Sequence, residues 1–482
     1  MTTRTILPAE GLAAEAIRTR LTAFRERDLA WRSGKLWAYV YPPPADVEAI
    51  QKHAYLEYLT ENGLDPTAFP SLVAMENDVL QFCREHLSGD EEVAGSFTTG
   101  GTESCLLAVK TARDVARARG VDKPQMILAM TAHAAFFKAA HYFDVEAVVV
   151  PVDWNTFRMD PAAVQAALGP RTALVVASAP SYAHGVIDPI EAIGALAQAH
   201  GTLFHVDGCI GAFLLPWLRE LGEPVPAFDF SVPGVTSISM DLHKYAFCPK
   251  GASVVLYKNA ELRAQQYFAC ASWSGYTMIN PTILSSKSGG SVAAAWATLQ
   301  AFGARGYLDA AGAILAARGA IVAGVAAIEG LAILGTPEAS LVAIRSTEPT
   351  LSVFHVADEM SARGYMVQVQ LSQGEGPENL HLSLLPQSLA EAPAFLAALA
   401  ESAQAARSLG FGALVEMVRA MLPQLAATEP TRETILGLLA GAGIDPRALP
   451  GKMAEMNQVM NLLPPSWREA VLVNVVGALF RG

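Results

Sequence analysis

The chain has 482 residues, 52% hydrophobic and 17% charged, which suits a large core with more than one domain and excludes a disordered chain. Its formal net charge is −12 with no run of lysine or arginine, which argues against a nucleic-acid partner. The five cysteines (Cys83, Cys105, Cys209, Cys248, Cys270) are scattered without a CxxC pair, so reduced core thiols of a cytoplasmic protein are expected, with no disulfide framework and no metal site.

Residues 1–28 are charged and helix-like and lack the continuous apolar region of a signal peptide. The Trp37-Ala38-Tyr39-Val40-Tyr41 segment then runs into Pro42-Pro43-Pro44, which ends any regular element. A helical arm is therefore expected over 1–60. Amphipathic helices are predicted at 46–59 and 71–86.

Next comes the loop Phe97-Thr98-Thr99-Gly100-Gly101-Thr102-Glu103-Ser104. Its glycines allow a tight turn, and Thr102 is predicted to cap a helix running to Arg119. The free N–H groups of such a helix start form an anion site suited to a phosphate. The loop matches neither the Walker pattern nor the dinucleotide fingerprint, and a Gly-Gly pair alone is usually only a turn.

Short apolar runs at 126–129, 147–151, 174–178 and 203–206 then alternate with helical patterns at 134–143, 161–168 and 189–200. This alternation predicts an α/β fold with a mostly parallel central sheet flanked by helices. Asp207 closes one such strand, where a plain turn role is the simpler reading. A further strand ends at Asp241 and leads into Leu242-His243-Lys244-Tyr245. A lysine just past a buried strand end sits where α/β enzymes place their chemistry, and apolar surroundings can lower its pKa and make it a nucleophile towards an aldehyde. Beyond about residue 313 a smaller α+β domain with a helical tail is expected, with strand-like pieces at 351–356 and 380–384. The large domain is thus assigned to 61–312 and the small one to 313–482. The apolar stretch 308–334 is interrupted by Arg318 and Glu329 and reads as core, so no membrane span is expected.

A phosphate cradle, then a histidine, a strand-end aspartate and a His-Lys pair, in that order, is what pyridoxal 5′-phosphate requires. Lys244 bonds to the aldehyde, Asp207 keeps the pyridine nitrogen protonated, and His133 stacks on the ring. The plain alternative for His133, a packed core histidine, gives way because of its place in this series.

The segments Thr99-Gly100-Gly101-Thr102-Glu103-Ser104, His133-Ala134-Ala135-Phe136, His184-Gly185-Val186-Ile187-Asp188-Pro189, His205-Val206-Asp207-Gly208-Cys209 and 235–257 resemble the sphingosine-1-phosphate lyases. These belong to the group II decarboxylase branch of the fold-type I pyridoxal-phosphate enzymes. The resemblance implies that Gly100, Gly101, Thr102 and His243 bind the cofactor phosphate, with Ser288 or Gly289 reaching in from a partner subunit of a homodimer. It also implies that Tyr41, Asn62, Asp65 and Lys250 line the site of a small amine substrate. The family's histidine-containing segment here reads Asn62-Gly63-Leu64-Asp65-Pro66, so a carboxylate replaces a group that meets the substrate's phosphate. Lys287-Ser288 likewise replaces Arg-Pro. The implied activity is retro-aldol Cα–Cβ cleavage of a 2-amino-3-hydroxy substrate, such as a sphingoid base 1-phosphate, to an aldehyde and (phospho)ethanolamine. The alternatives are an L-amino-acid decarboxylase and, in another class, a non-catalytic relic of the fold acting as a binding protein.

Overall fold

The computed structural model describes residues 7–8, 10–441 and 451–480. The short Val/Ile/Leu-rich runs form the strands of a seven-stranded sheet whose central members are buried on both faces, as parallel strands under covering helices must be. In chain order the strands are β1 (Ala94–Thr98), β2 (Gln125–Ala129), β3 (Glu146–Val150), β6 (Thr172–Ser178), β7 (Leu203–Asp207), β8 (Ser237–Met240) and β9 (Ser253–Tyr257). Between them β4 (Val152–Asp153) and β5 (Arg158–Met159) make a separate ribbon. The spatial order is β1-β9-β8-β7-β6-β2-β3.

Strands β3, β2, β6, β7 and β8 pair in parallel, whereas β9 runs antiparallel to both β8 and β1. That single reversal turns the chain back directly after the lysine segment. Ser253, at the start of β9, therefore pairs with Thr98 at the end of β1, and Met240 at the end of β8 pairs with Val254.

An arm helix, α1 (Ala14–Phe24), has no buried residue. The sheet is flanked by α2 (Ala45–Glu57), α3 (Pro70–His86), α4 (Gly101–Ala118), α5 (Ala134–Phe143), α6 (Pro161–Ala167), α7 (Ile190–His200), α8 (Leu215–Glu220) and α9 (Ala260–Ala264). The hairpin of β10 (Phe268–Cys270) and β11 (Met278–Asn280) projects beyond the sheet with Phe268, Trp273, Tyr276 and Ile279 exposed.

The long helix α10 (Gly289–Ala326) follows and runs through the boundary drawn at 312. By length and composition it is apolar enough to cross a membrane, yet it packs on α2, α3, α8 and on α12 (Ser388–Ala406) of the small domain, as a core helix does. Gly303, with φ 62°, divides it into two straight pieces.

The small domain holds an antiparallel sheet in the order β12-β13-β15-β14, from β12 (Leu331–Ile333), β13 (Leu341–Ser346), β14 (Gln368–Gln370) and β15 (Asn379–Ser383). The strand expected at 351–356 is instead the first part of a helix, α11 (Val353–Ala362). Its buried Val353, Val356 and Met360 recur at helical spacing, which overrides the β-branched composition. The tail folds as α13 (Ala413–Ala426), α14 (Arg432–Gly441), α15 (Ala454–Leu462) and α16 (Pro465–Leu479) around Val415, Val418, Trp467 and Val471.

Candidate active site

The carboxyl ends of β1, β7 and β8 open into a cavity of about 380 Å³. It is lined by Thr99 to Glu103, His133, Pro180, Tyr182, Asp207, Cys209, Ile210, Asp241, His243 and Lys244. A larger hollow of about 750 Å³, under the arm and against α10, contains no lysine or histidine. The expected cofactor residues Gly100, Gly101, Thr102, His133, Asp207, His243 and Lys244 are thus brought together from four separate segments.

The cradle begins where β1 ends. Thr102 does not cap α4 with its side chain; Gly100 is the N-cap and no side-chain cap is made. Glu103 turns back instead, and its carboxylate accepts from Thr99 N at 2.7 Å and Thr99 Oγ1 at 2.8 Å. This fixes the loop while leaving the first N–H groups of α4 directed at the cavity side. Gly101 has no room for a side chain, since a Cβ there would lie 2.7 Å from both Asp241 carboxyl oxygens and from Cys209 Sγ.

Lys244 Nζ lies 2.9 Å from Asp241 Oδ2, and His243 Nε2 lies 3.6 Å from the same oxygen. Asp241 is deeply buried and also accepts from Ser253 Oγ at 2.7 Å. The lowered lysine pKa expected from apolar surroundings is not found. Burial is the largest influence and pulls the Lys244 ammonium down, but the adjacent Asp241 carboxylate together with Cys209 and Tyr41 outweighs it and the value is raised. For Asp241 burial acts to raise the carboxyl, yet Lys244 and His243 hold it below the usual range. Burial pushes His243 down to about 4.

Asp207 closes β7 and its Oδ1 accepts from Cys209 N at 3.1 Å and from Ser239 Oγ at 3.4 Å. Ser239 Oγ in turn contacts His205 Nε2 at 3.2 Å, and His205 Nδ1 meets Ser237 Oγ at 2.9 Å, so a buried chain from β7 to β8 orients the carboxylate. Cys105 and Cys209 lie beside it, with their sulfurs and an Asp207 oxygen all within 4.8 Å of one another. A hydrogen bond to Cys105 and burial push the Cys209 thiol well up, which keeps it protonated. His133 N-caps α5, its Nδ1 accepting from Ala135 N at 3.2 Å, and stands edge-on to Tyr182 with ring centres 6.2 Å apart.

Tyr41 packs edge-on against Tyr245 at 5.1 Å, and Lys250 Nζ lies 5.0 Å above the Tyr41 ring and 3.4 Å from His243 O. Both therefore flank the lysine segment without lining the cavity itself. Asn62, Asp65, Ser288 and Gly289 are elsewhere. Asn62 bridges to Ser288, Ser288 N-caps α10, and Gly289 N donates to Glu61 O. Asp65 Oδ1 accepts from Thr67 N at 2.8 Å and Thr67 Oγ1 at 2.7 Å, an exposed turn that lines a different cavity beside Phe69, Glu76 and Lys287. Within one chain Asp65 thus serves the turn and does not face Lys244.

Sequence reasoning missed Asp241, Ser253, Glu103 and Tyr182. For Asp241 a signal existed, an acid three residues before the lysine at the same strand end. Tyr182 follows the Pro180 loop and carried none. In the quoted 184–189 segment the structure shows scaffolding: Asp188 accepts from Met159 N and Ser178 N, both at 2.8 Å, and a Cβ on Gly185 would lie 2.3 Å from Leu341 O.

The cavity fits a phosphorylated pyridoxal on this structure's own features. The turn at Gly101 admits no side chain, helix N–H groups converge there, and His243 Nδ1 is buried without a hydrogen-bond partner among the described residues. A single lysine stands opposite a carboxylate held at a strand end.

Residues 30–346 match the pyridoxal-dependent decarboxylase conserved domain, and residues 413–478 match a C-terminal putative HTH domain of pyridoxal-dependent enzymes. The sphingosine-1-phosphate lyase of Oryza sativa subsp. japonica is 39% identical over 411 residues, 83% of this chain and 74% of that enzyme. Sphingosine-1-phosphate lyase 1 of Rattus norvegicus is 35% identical over 432 residues, 88% of this chain and 75% of that enzyme. The solved Burkholderia pseudomallei sphingosine-1-phosphate lyase superposes with a TM-score of 0.80 at 35% identity, covering 88% of this chain and 97% of that one. With its cavity, its lysine and these likenesses taken together, the chain belongs to the pyridoxal-dependent decarboxylase family, as a pyridoxal-phosphate-dependent lyase of the sphingosine-1-phosphate lyase-like kind.

Proposed function

We propose that this enzyme cleaves the Cα–Cβ bond of a 2-amino-3-hydroxy substrate, a sphingoid base 1-phosphate or a close analogue, to an aldehyde and (phospho)ethanolamine. The single observation that carries this reading is the placement of Lys250 and Tyr41. Both lie against the lysine segment, and both occupy sequence positions that the lyase resemblance assigns to the substrate's head group. Bound pyridoxal phosphate supplies an electron sink for the pair left on Cα when the bond breaks.

The chain's own residues do the rest. Gly101 and the first turn of α4 hold the phosphate, and Lys244 holds the aldehyde end. The Asp207 carboxylate, fixed by Cys209 N and Ser239, keeps a proton at the pyridine nitrogen. Burial pushes the Tyr182 phenol up to about 12, so it remains a proton donor at neutral pH, and its O–H donates to Gln368 Oε1 at 2.6 Å.

A homodimer with shared active sites is part of this proposal. Six large apolar side chains (Phe268, Trp273, Tyr276, Ile279, Ile283, Leu284) are exposed on the segment that leads to Ser288, where a second copy would cover them. The test is incubation of the purified holoenzyme with a sphingoid base 1-phosphate, its unphosphorylated analogue and a panel of L-amino acids, with aldehyde and CO₂ both assayed. Aldehyde from the hydroxyamine substrates is the expected result. CO₂ release from an amino acid without aldehyde would replace this reading by decarboxylation.

A further inference from the structure

Asp241 has no role in the chemistry described so far, yet the site is built around it. Its side chain is only 2% exposed. Oδ2 is shared by Lys244 at 2.9 Å and His243 at 3.6 Å, while Oδ1 accepts from Ser253 Oγ at 2.7 Å. Among the described residues no other basic group lies within 4.0 Å of it. The other ionisable groups near this cluster include Asp207, Cys209 and Cys105 on the cofactor side, and Tyr182, Tyr41 and Lys250.

A buried carboxylate stripped of its cation is strongly unfavourable. When Lys244 bonds to an aldehyde, the ammonium first gives up one proton, which passes by way of the shared Asp241 carboxylate to His243 Nε2. The free amine then adds to the carbonyl carbon and water leaves, so that Nζ is committed to carbon. Asp241 then has one basic neighbour left, His243. That ring's Nδ1 is already buried without a partner, beside the turn that holds a phosphate.

We propose that Asp241 is a positioning residue that serves two cations in turn, holding the Lys244 ammonium before the cofactor arrives and a protonated His243 afterwards. The inference rests on the pyridoxal phosphate reading. In the loaded enzyme His243 is therefore a cation that spans Asp241 and the cofactor phosphate, and one positive charge has moved from the aldehyde end of the site to the phosphate end. The raised Lys244 pKa agrees with the first of these states.

The test uses cofactor-free and loaded full-length protein with labelled histidine, observed by NMR, together with the pH midpoint for covalent loading by pyridoxal 5′-phosphate and by pyridoxal. In the wild type at pH 7 the His243 signal is expected to change from neutral to protonated on loading with pyridoxal 5′-phosphate. In Asp241→Asn it should stay neutral, and the loading midpoint should fall by about one pH unit or more, a tenfold change in the proton activity at which the amine becomes available. Ser253→Ala, which removes only a donor to the carboxylate, should move the midpoint the opposite way and serves if the asparagine variant does not fold. A purely structural Asp241 would lower the melting temperature of these variants and leave both midpoint and His243 charge in place. That result, or a neutral His243 in the loaded wild type, overturns the proposal. Failure of the cofactor reading looks different, since no yellow adduct would form in any variant.

Discussion

Gly101→Ala isolates the geometry of the cradle from its charges. The added methyl would sit 2.7 Å from both carboxyl oxygens of Asp241 and from Cys209 Sγ, closer than non-bonded atoms approach, so a neighbour must move. Neither is free to do so. Asp241 is pinned by Ser253 at 2.7 Å and by Lys244 at 2.9 Å, and Cys209 Sγ donates to Ser239 Oγ at 3.2 Å. Forcing one methyl into such a site costs about 1–3 kcal/mol. If that strain falls on the cofactor-bound form, affinity drops by about 5- to 150-fold. At Gly100 the only neighbour of a new Cβ is His243 Cε1 at 3.4 Å, so Gly100→Ala should bind the cofactor nearly as the wild type does. Titration of each cofactor-free variant with pyridoxal 5′-phosphate, followed by absorbance and paired with thermal melting, checks both. Unchanged affinity in Gly101→Ala, or a larger loss in Gly100→Ala, would refute the packing argument.

Lys244→Ala should lose all borohydride-trapped cofactor label; label retained in that variant means another lysine reacts. Asp207→Ala should still take up the cofactor but lose about a hundredfold or more in kcat, as expected when one charge that stabilises the transition state is removed, and near-normal turnover would exclude it as the pyridine partner. Asp65→His should change the ratio of kcat/KM between phosphorylated and unphosphorylated substrate by less than about twofold, because Asp65 is occupied by Thr67 in an exposed turn; a tenfold gain for the phosphorylated substrate would return this carboxylate to the active site. Finally, burial holds His86, His184, His205 and His243 down to about 4 and His381 to about 3. Their folded values lie below the unfolded one of about 6.5, so this stability is present above about pH 6.5 and is lost as pH falls through the folded values. The urea midpoint of the cofactor-free protein should therefore drop between pH 7 and pH 5, and a flat midpoint would show that these rings are not held neutral.

Much of the large domain was legible because its signals are local. Periodicity placed α5 and α7 and the strands β2, β3, β6 and β7 to within about two residues, though not the β4–β5 ribbon, and turn chemistry placed the Gly100-Gly101 cradle. What failed depended on partners distant in sequence. The pKa of Lys244 was misjudged because apolar neighbours in the chain were weighed without the buried Asp241 that folding sets against it. The 351–356 segment was misread because its β-branched residues hid a helical spacing. Within one chain the turn of Asp65 accounts for its hydrogen bonds, and no sequence pattern shows which cavity a turn faces.

The division of α10 at Gly303 has a mechanical consequence. The first piece is seated on the large domain: Trp296 Nε1 donates to Asp78 Oδ2 at 2.9 Å and Gly290 lies against Tyr55. The second is seated on both domains: Tyr307 Oη donates to Ala246 O at 3.0 Å and Arg318 pairs with Glu223 of the large domain, while Gly324 lies against Leu396 before the chain leads into β12. The second piece therefore rivets the two domains together, and the break at Gly303 sets the angle at which it reaches the small one. Amide hydrogen exchange should therefore show similar protection on the two sides of residue 303, and much faster opening after it would mean that Tyr307 and Arg318 do not hold the second piece to the large domain.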